Sequence, residues 1–242
     1  MARLPGLIRA LALHDRRGEK TIAHIARQVR DAGLISSTKR GVGASFMTFA
    51  DAATLLLAVC GDSSPQGAVV AVGNLRSLEP RPWDTVDALK REDLSEGLEF
   101  LRGKMSFSET VERLIEHAPA ISSWQNEYVI GEDLQGDAAS EAEYSMQRMV
   151  GKLAGFGPAP AGYARLVRVV CYVPGIAAEV HLGRPWRQLE EDDAFHEYYA
   201  APGGWNVSAS GEDDASDCLI TIEVGLPILL ALHSAVVGEG ET

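Results

Sequence analysis

The sequence predicts an α+β protein with a helical N-terminal part, a helical middle and a small C-terminal α/β region, in which antiparallel strands accompany one helix. Three observations support this class. Apolar residues recur at the helical spacing of three and four as far as His117. The segment Gly155–Gly162, with three glycines and two prolines, has the composition of a linker. Beyond it, apolar residues alternate in the manner of strands.

Two amphipathic helices are predicted at the start of the chain. The first ends near His14, because a charged stretch follows it. Thr21 is expected to cap the second helix, Thr21–Ala32, which Gly33 terminates. The apolar stripes are Leu4, Leu7, Ile8 and Leu11 in the first helix and Ile22, Ile25, Ala26 and Val29 in the second. Each stripe is expected to face a core, which leaves the opposite side of each helix to solvent.

A polar loop and a third helix follow. Residues Ser36–Ser45 are glycine-containing and non-periodic, so we expect a loop or a small hairpin there. Thr48 and Asp51 have the spacing of a capping box, with Asp in place of the usual Glu. The run Ala52–Cys60 is nearly free of charge and is closed by Gly61, which predicts a buried helix.

The middle of the chain is expected to be mainly helical. Ser64-Pro65 is typical of a helix start, and Leu78–Trp83, with two prolines, is a break. Ser106 or Ser108 is expected to cap the clearest of these helices. The predicted helices are Gln66–Leu78, Thr85–Arg91, Leu94–Leu101, Glu109–His117 and Glu141–Leu153. The side chains of Glu109–His117 that are expected to point inward are Val111, Leu114 and Ile115.

Strands dominate the C-terminal region. Pro174-Gly175 indicates a turn between two strands, and Pro227 opens a final apolar helix that runs through Val237. The predicted strands are Ala164–Val173, Ile176–Leu182 and Cys218–Val224. The predicted domains are residues 1–61, a helical connecting or oligomerisation region 62–118, an irregular linker region with one helix 119–162, and a C-terminal α/β domain 163–242.

Charge is distributed unevenly along the chain. Residues 1–50 hold nine Lys or Arg and three Asp or Glu, a net charge of +6, whereas the remainder holds 13 bases and 31 acids, a net charge of −18. A basic module on an acidic body attracts a polyanion at one end and repels it from the other. The asymmetry therefore points to a polyanionic partner at the N-terminal part.

Composition and the length of the apolar runs exclude several classes of protein. A chain of 242 residues with 46% hydrophobic residues can bury a core, and 23% charged residues with ordinary numbers of glycine and proline exclude collagen-like and fully disordered proteins. The longest apolar stretches fall far short of the roughly 20 residues of a membrane helix, and the N-terminus has no convincing signal-peptide cleavage site. Three widely spaced cysteines in apolar surroundings suggest a reducing compartment. We therefore expect a cytoplasmic protein of a bacterial or phage-infected cell, with no membrane partner.

Residues 1–61 follow the pattern of a winged helix-turn-helix: two helices joined by a tight polar turn, a basic loop, then a buried helix. The helix Ala52–Cys60 carries no cation and is scaffold, whereas Thr21–Ala32 offers hydrogen-bond donors for base edges in the major groove. The cations in the turn and in the loop lie on either side of the helix Thr21–Ala32 and are expected to bind phosphates of the DNA backbone. The candidate DNA-binding residues are Arg16, Arg17, Lys20, Thr21, His24, Arg27, Gln28, Arg30, Lys39 and Arg40. Among them His24, Arg27 and Gln28 are expected to read bases.

The same part of the chain resembles MerR-type winged-helix regulators and the N-terminal segments of small phage and prophage DNA-binding proteins. The resemblance covers roughly residues 5–60 and rests on the segment Ile25–Ser36, the basic run Lys39–Gly43 and the segment Met47–Asp51 before an apolar helix. It implies a recognition helix, a wing and a following helix, with double-stranded DNA as the partner. The aromatic pair usual in the MerR recognition helix is absent, and neither effector-domain cysteines nor a long dimerisation coiled coil follow. The resemblance therefore supports DNA binding and not metal or drug sensing.

Other candidate chemistry is better explained by structural roles. A group of histidines and acids comprises His181, Glu190, Glu191, Asp192, Asp193 and His196. Because the four acids are consecutive, they point in different directions, which favours a solvated acidic loop over a metal site. Cys171 and Cys218 lie in predicted strands without a nucleophile motif. Aromatic residues that are expected to anchor a core or interface, with a ligand pocket as the alternative, are Trp124, Trp186, Trp205, Phe195, Tyr198 and Tyr199. We expect no catalytic activity, no metal and no cofactor.

The sequence thus predicts a sequence-specific DNA-binding protein, a transcriptional regulator of phage or mobile-element type. We expect a dimer, because one small module makes too few contacts for tight specific binding. The C-terminal region would supply oligomerisation or bind a protein partner. The alternatives are a phage DNA packaging or replication accessory protein, a non-catalytic module that binds an acidic protein partner, and an enzyme that acts through the C-terminal α/β region.

Overall fold

The computed structural model describes residues 3–36, 46–62, 64–81, 98–123, 167–173, 177–183, 193–201 and 220–238. The helices are α1 (Leu4–Ala12), α2 (Gly18–Asp31), α3 (Phe49–Gly61), α4 (Ala68–Arg76), α5 (Phe107–Glu116) and α6 (Leu226–Val237), with a 3-10 helix at Glu99–Leu101 and a helical segment at 118–123. The strands are β1 (Glu79–Arg81), β2 (Val167–Val173), β3 (Ala177–Gly183), β4 (Asp193–Ala200) and β5 (Ile220–Gly225). The α+β class predicted from the sequence is confirmed.

Several predicted segments fall outside these residues. They are most of the loop Ser36–Ser45, the helices Thr85–Arg91 and Glu141–Leu153, and the linker Gly155–Gly162. The three boundaries between the four predicted domains also stay predictions. In the part of the chain that the structure describes, every helix is too short or too polar to cross a lipid bilayer.

Helices α1 and α2 pack against each other with their apolar stripes inward. The prediction that Thr21 caps the second helix is wrong. Helix α2 begins at Gly18, and the Thr21 hydroxyl donates to the Arg17 carbonyl one turn earlier, at 3.0 Å. Glu19 and Lys20, the charged residues after Gly18, are exposed to solvent. Their charges therefore do not prevent Gly18–Lys20 from forming the first turn of the helix. Gly33 follows the end of α2 as predicted, with a φ of 73° that favours glycine.

Helix α3 lies at the centre of the helical layer. The predicted capping box is confirmed, because the Asp51 N–H donates to Thr48 Oγ1 at 3.1 Å and the Thr48 N–H donates to Asp51 Oδ2 at 2.9 Å. Every residue from Asp51 to Gly61 is buried, and the helix contacts α2, α4, α5 and β2. Its apolar surface is therefore covered on all sides, as its charge-free sequence predicted.

The segment after α3 departs from the prediction in two places. Helix α4 spans Ala68–Arg76 and is shorter than the predicted Gln66–Leu78, although the Ser64 hydroxyl still accepts the Gly67 N–H at 3.2 Å. Strand β1 forms inside the predicted break. It is three residues long and contains a proline, so no local pattern marks it as a strand.

Helix α5 begins at Phe107, two residues before the predicted Glu109, and Ser106, one of the two predicted caps, is its N-cap. The Ser106 hydroxyl accepts the Glu109 N–H at 3.4 Å, and Glu109 Oε2 accepts the Ser106 N–H at 2.8 Å. Its three predicted inward side chains, Val111, Leu114 and Ile115, are fully buried.

The sheet has five antiparallel strands in the order β1-β4-β3-β2-β5. The three predicted strands are confirmed as β2, β3 and β5. Strand β4 was not predicted because it contains no Val, Ile or Thr and begins in the acidic run. Val169 of β2 pairs with Val180 of β3 on one side and with Val224 of β5 on the other, and all three are buried.

One continuous core joins the helices to the sheet. The Phe107 ring of α5 contacts the Tyr199 ring of β4 at a centroid distance of 5.2 Å, and both side chains are fully buried. Helix α6 packs against α1, so the last helix of the chain lies beside the first. The core therefore fixes α1, α2 and α3 against the C-terminal elements and leaves the outer side of α2 uncovered.

Candidate nucleic-acid interface

Helix α2 has one fully buried side and one exposed side, on which three cations (Lys20, Arg27 and Arg30) accompany two acids (Glu19 and Asp31). The buried side chains, none of which has exposed surface, are Ile22, Ile25, Ala26 and Val29. The exposed side chains with hydrogen-bonding groups suited to a polyanion are Lys20, His24, Arg27 and Arg30, with half-buried Gln28 beside them. The apolar stripe of this amphipathic helix thus orients five of the ten predicted DNA-binding residues toward solvent. We call these five residues the α2 face.

Two arginines of the α2 face contact one carboxylate. Arg27 Nε lies 3.6 Å from Asp31 Oδ2, and Arg30 Nη2 lies 3.3 Å from Asp31 Oδ1. The Arg27 side chain is 71% exposed and that of Asp31 is 56% exposed, so water screens these pairs and they contribute little to stability. Both guanidiniums can therefore exchange Asp31 for a stronger acceptor such as a phosphate or a guanine edge.

His24 and Gln28 form a hydrogen-bonded pair on adjacent turns of the α2 face. Gln28 Nε2 lies 3.2 Å from His24 Nε2. With the amide in this orientation, Gln28 Nε2 is the donor and the ring nitrogen of His24 is the acceptor. The Gln28 amide keeps its carbonyl oxygen and its second N–H, which is the acceptor and donor pair that matches an adenine edge.

Arg16 and Arg17 are adjacent in sequence but have different surroundings. Arg16 is exposed at the turn before α2. Arg17 Nη2 donates to the Val59 carbonyl at 2.6 Å and to Asp15 Oδ2 at 2.7 Å, while Nη1 donates to the Asp62 carbonyl at 3.0 Å. Arg17 therefore ties the α1–α2 turn to the C-terminal end of α3, where helix carbonyls lack partners within the helix. Because its guanidinium is bound to these three groups, Arg17 is not part of the proposed DNA contact.

The Asp15–Arg17 pair is ionised at neutral pH. Burial raises the pKa of the Asp15 carboxyl, but the hydrogen bonds and the charge of Arg17 outweigh burial and hold that pKa below its usual range. The hydrogen bond to Asp15 in turn raises the pKa of Arg17. The two shifts agree in favouring the charged pair.

Asp51 joins the two ends of the predicted wing. Its Oδ1 accepts the Ser36 N–H at 2.8 Å, and its Oδ2 accepts the Thr48 N–H at 2.9 Å. Ser36 and Thr48 flank the loop that carries Lys39 and Arg40, and these two cations lie outside the described residues. The sequence identified Asp51 as a cap but not as a bridge to Ser36.

Two further contacts hold the ends of α2. Arg76 of α4 donates through Nη2 to the Leu34 carbonyl at 3.4 Å and to the Thr54 hydroxyl. No local pattern predicts this role, because it depends on how α4 crosses the end of α2. Thr21 is half-buried, and its hydroxyl donates to the Arg17 carbonyl. Of the predicted DNA-binding residues on α2, Thr21 and Gln28 are half-buried and the others are exposed.

The predicted histidine and acid group is only partly described. His181 Nε2 lies 2.7 Å from Glu179 Oε2, and both side chains are largely buried. Glu190, Glu191 and Asp192 lie outside the described residues, and only backbone positions in β4 are described for Asp193 and His196. Among the side chains that the structure does describe, no three His, Cys, Asp or Glu form a group that would hold a metal ion.

Two buried cysteines contact each other inside the core as free thiols. Cys60 of α3 and Cys171 of β2 are free thiols and both are buried. A hydrogen bond with Cys60 and complete burial raise the pKa of the Cys171 thiol. A thiol in this state is a poor nucleophile, which agrees with the core-packing role that the sequence predicts for Cys171. Cys218 lies outside the described residues.

Comparison with known proteins does not assign the chain to a family. No protein-family model, no curated protein and no solved structure matches the chain.

Proposed function

We propose that this chain binds double-stranded DNA in a sequence-specific manner through the α2 face, as a transcriptional regulator of phage or mobile-element type. The observation that carries the proposal is the division of α2 into a fully buried apolar side and an exposed side with three cations, beside which the half-buried Gln28 supplies one amide group. At about 1.5 Å per residue, a helix of 14 residues is about 21 Å long, and the major groove of about 12 Å width admits a single helix.

Each side chain of the α2 face has a role in this arrangement. Gln28, held by His24, presents a donor and an acceptor to a base edge, and Arg27 offers a guanidinium that suits guanine. Lys20 and Arg30 lie nearer the two ends of the helix, where the phosphate backbones flank the groove. Arg16 in the turn and, by prediction, Lys39 and Arg40 in the wing add further phosphate contacts.

Helix α3 is unsuited to the same role. It lies behind α2, its residues from Asp51 onward are buried, and it contains no Lys or Arg. The acidic remainder of the chain, with a net charge of −18, would repel DNA and thereby confine it to the α2 side.

A second function is supported by the contacts of Asp31. Because Arg27 and Arg30 already contact a carboxylate of their own chain, an acidic protein could offer carboxylates to the same two guanidiniums. A phage packaging or replication accessory protein is a further alternative that would also bind DNA. Its mass in solution would be that of a higher oligomer, whereas the regulator is expected to be a dimer.

Binding of the full chain to DNA across a salt series tests the proposal. The probes are duplex fragments from the neighbourhood of its own gene and a random duplex of the same length. Affinity should fall steeply between about 50 and about 200 mM salt, because each phosphate contact releases counterions. Arg30→Ala should flatten that slope by about one unit, whereas Arg113→Ala, which removes an exposed and paired arginine of α5, should leave it unchanged. Absence of binding to every duplex at low salt would reject the DNA function and leave the acidic-partner alternative.

A further inference from the structure

The Asp31 carboxylate contacts both arginines of the α2 face. Its Oδ2 lies 3.6 Å from Arg27 Nε, and its Oδ1 lies 3.3 Å from Arg30 Nη2, so each oxygen is directed at a different guanidinium. In the part of the chain that the structure describes, these two side chains are its only ion-pair partners. Asp31 is thus bound to two groups that the proposed contact with DNA also uses.

A contribution to stability does not explain why a carboxylate stands at this position. Asp31 is the last residue of α2, where the helix macrodipole disfavours a negative charge. In the i,i+4 pair with Arg27 the base precedes the acid, which is the less favourable order along a helix. All three side chains are exposed, so water screens both pairs. The contacts of Asp31 therefore matter more for what the two arginines can bind than for the stability of the helix.

Asp31 also reduces the attraction of the exposed side of α2 for anions. Three cations and two acids give that side a net charge of only +1, and Asp31 supplies one of the two negative charges. A phosphate that approaches Arg27 or Arg30 is repelled by this nearby like charge. It must also displace the carboxylate, because the donors that face Asp31 are the ones that would bind the phosphate.

We infer that Asp31 is an internal competitor of the polyanion at the α2 face. It contacts Arg27 and Arg30 when no ligand is bound, and a phosphate or a guanine edge takes its place on binding. Asp31 therefore lowers the affinity of the α2 face for polyanions of any sequence, because it acts on the cations and not on the base contacts of Gln28. That the polyanion is DNA rests on the proposed function, whereas the competition itself does not.

Binding of the full chain to a random duplex and to heparin, a polyanion without bases, tests the inference. Asp31→Asn removes the competing charge and keeps the size of the side chain. Glu19→Gln is the matched control, because it removes the same charge from the exposed first turn of α2, about 18 Å along the helix axis from Asp31. At about 100 mM salt, Asp31→Asn should bind the duplex about threefold to tenfold more tightly than Glu19→Gln. It should also elute from a heparin column at a higher salt concentration.

A second background shows whether the effect passes through the two arginines. In protein that already carries Arg27→Ala and Arg30→Ala, Asp31→Asn and Glu19→Gln should bind each probe equally, because no guanidinium is left for Asp31 to occupy. The inference would be overturned if Asp31→Asn bound no more tightly than Glu19→Gln, or if it kept its advantage without the two arginines. Weaker binding by Asp31→Asn than by the wild type would also overturn it, since Asp31 would then orient the arginines for the ligand.

The two probes separate this inference from the proposed function. An advantage of Asp31→Asn on heparin, without binding of any duplex, would support the competition and reject the DNA function. Binding of the duplex by the wild type, without any advantage of Asp31→Asn, would reject the competition and leave the DNA function standing. Failure of every variant to bind either probe at low salt would overturn both.

Discussion

The Asp51 carboxylate accepts the backbone N–H of Ser36, 15 residues earlier in the chain, at 2.8 Å while it caps α3. Asp51 is 6% exposed. One side chain therefore fixes the start of the third helix and the exit from the second. This links the position of α2 to that of the buried α3.

Removal of the Asp51 carboxylate should destabilise the fold more than loss of a simple cap. Asp51→Ala keeps the Thr48 cap but loses the carboxylate half of the capping box and leaves the Ser36 N–H without its carboxylate partner, so we expect a decrease of about 2–4 kcal/mol in the free energy of unfolding. Glu109→Ala is the matched control, because Glu109 completes the capping box of α5 through hydrogen bonds to Ser106, three residues earlier. It should cost about 0.5–1 kcal/mol in urea denaturation. Equal costs for the two variants would show that the bond to Ser36 contributes nothing.

The neighbours Arg16 and Arg17 should respond oppositely to the same substitution. Arg17→Met removes the bonds to the Val59 and Asp62 carbonyls and should lower the free energy of unfolding by about 1–3 kcal/mol. Arg16→Met should change it by less than about 0.5 kcal/mol, because Arg16 is exposed. Chemical denaturation measures both. In DNA binding the order should reverse when affinity is measured on folded protein, with Arg16→Met flattening the salt slope by about one unit.

The stabilising effect of Asp15 should depend on pH. Its pKa is lower in the folded protein than in the unfolded chain, so its contribution is present above the unfolded pKa of about 3.9 and is lost as pH falls through the lower folded pKa. The difference in unfolding free energy between wild type and Asp15→Asn should thus be largest near neutral pH and shrink below about pH 4. A difference that stays constant from neutral pH to about pH 3 would contradict the ion-pair account.

Glu112 provides the control of opposite sign. Burial, followed by the nearby charge of Glu116, raises the pKa of Glu112. Its ionised form is therefore disfavoured in the fold, and its contribution to stability is lost as pH rises through the folded pKa. Glu112→Gln should stabilise the protein near neutral pH, and this gain should disappear below about pH 4.

A buried hydrogen bond should couple α5 to β4. Thr110 Oγ1 lies 2.8 Å from the Tyr199 hydroxyl, both residues are fully buried, and that hydroxyl also donates to Glu197 Oε2 at 2.7 Å. Thr110→Val and Tyr199→Phe should each cost about 1–2 kcal/mol. The double variant should cost less than the sum by about 0.5–1.5 kcal/mol, because the two substitutions remove one shared bond. Strict additivity in a double-mutant cycle would contradict the coupling.

Features that depend on neighbouring residues could be predicted from the sequence. The capping boxes at Thr48 and Ser106 need only residues three positions apart, and the buried side of α2 follows from its apolar spacing. The α2 face could be predicted for the same reason, since the exposed side is the complement of the buried one.

Features that depend on distant residues could not be predicted. Strand β4 contains no β-branched residue and begins in an acidic run, and it is held by pairing with β1 and β3, which no local pattern reveals. The role of Arg17 depends on the place where α3 ends, more than 40 residues later. The same holds for Arg76, whose partner Leu34 lies 42 residues earlier.

Selection of duplexes from a random library by the full chain tests the central claim most directly. The wild type should enrich one motif, and Gln28→Ala should lose preference at an adenine-containing pair in it, at a cost of about 1–3 kcal/mol. Arg113→Ala should enrich the wild-type motif unchanged. Enrichment of no motif, or of the same motif by Gln28→Ala and Arg27→Ala as by the wild type, would show that the α2 face does not read DNA sequence.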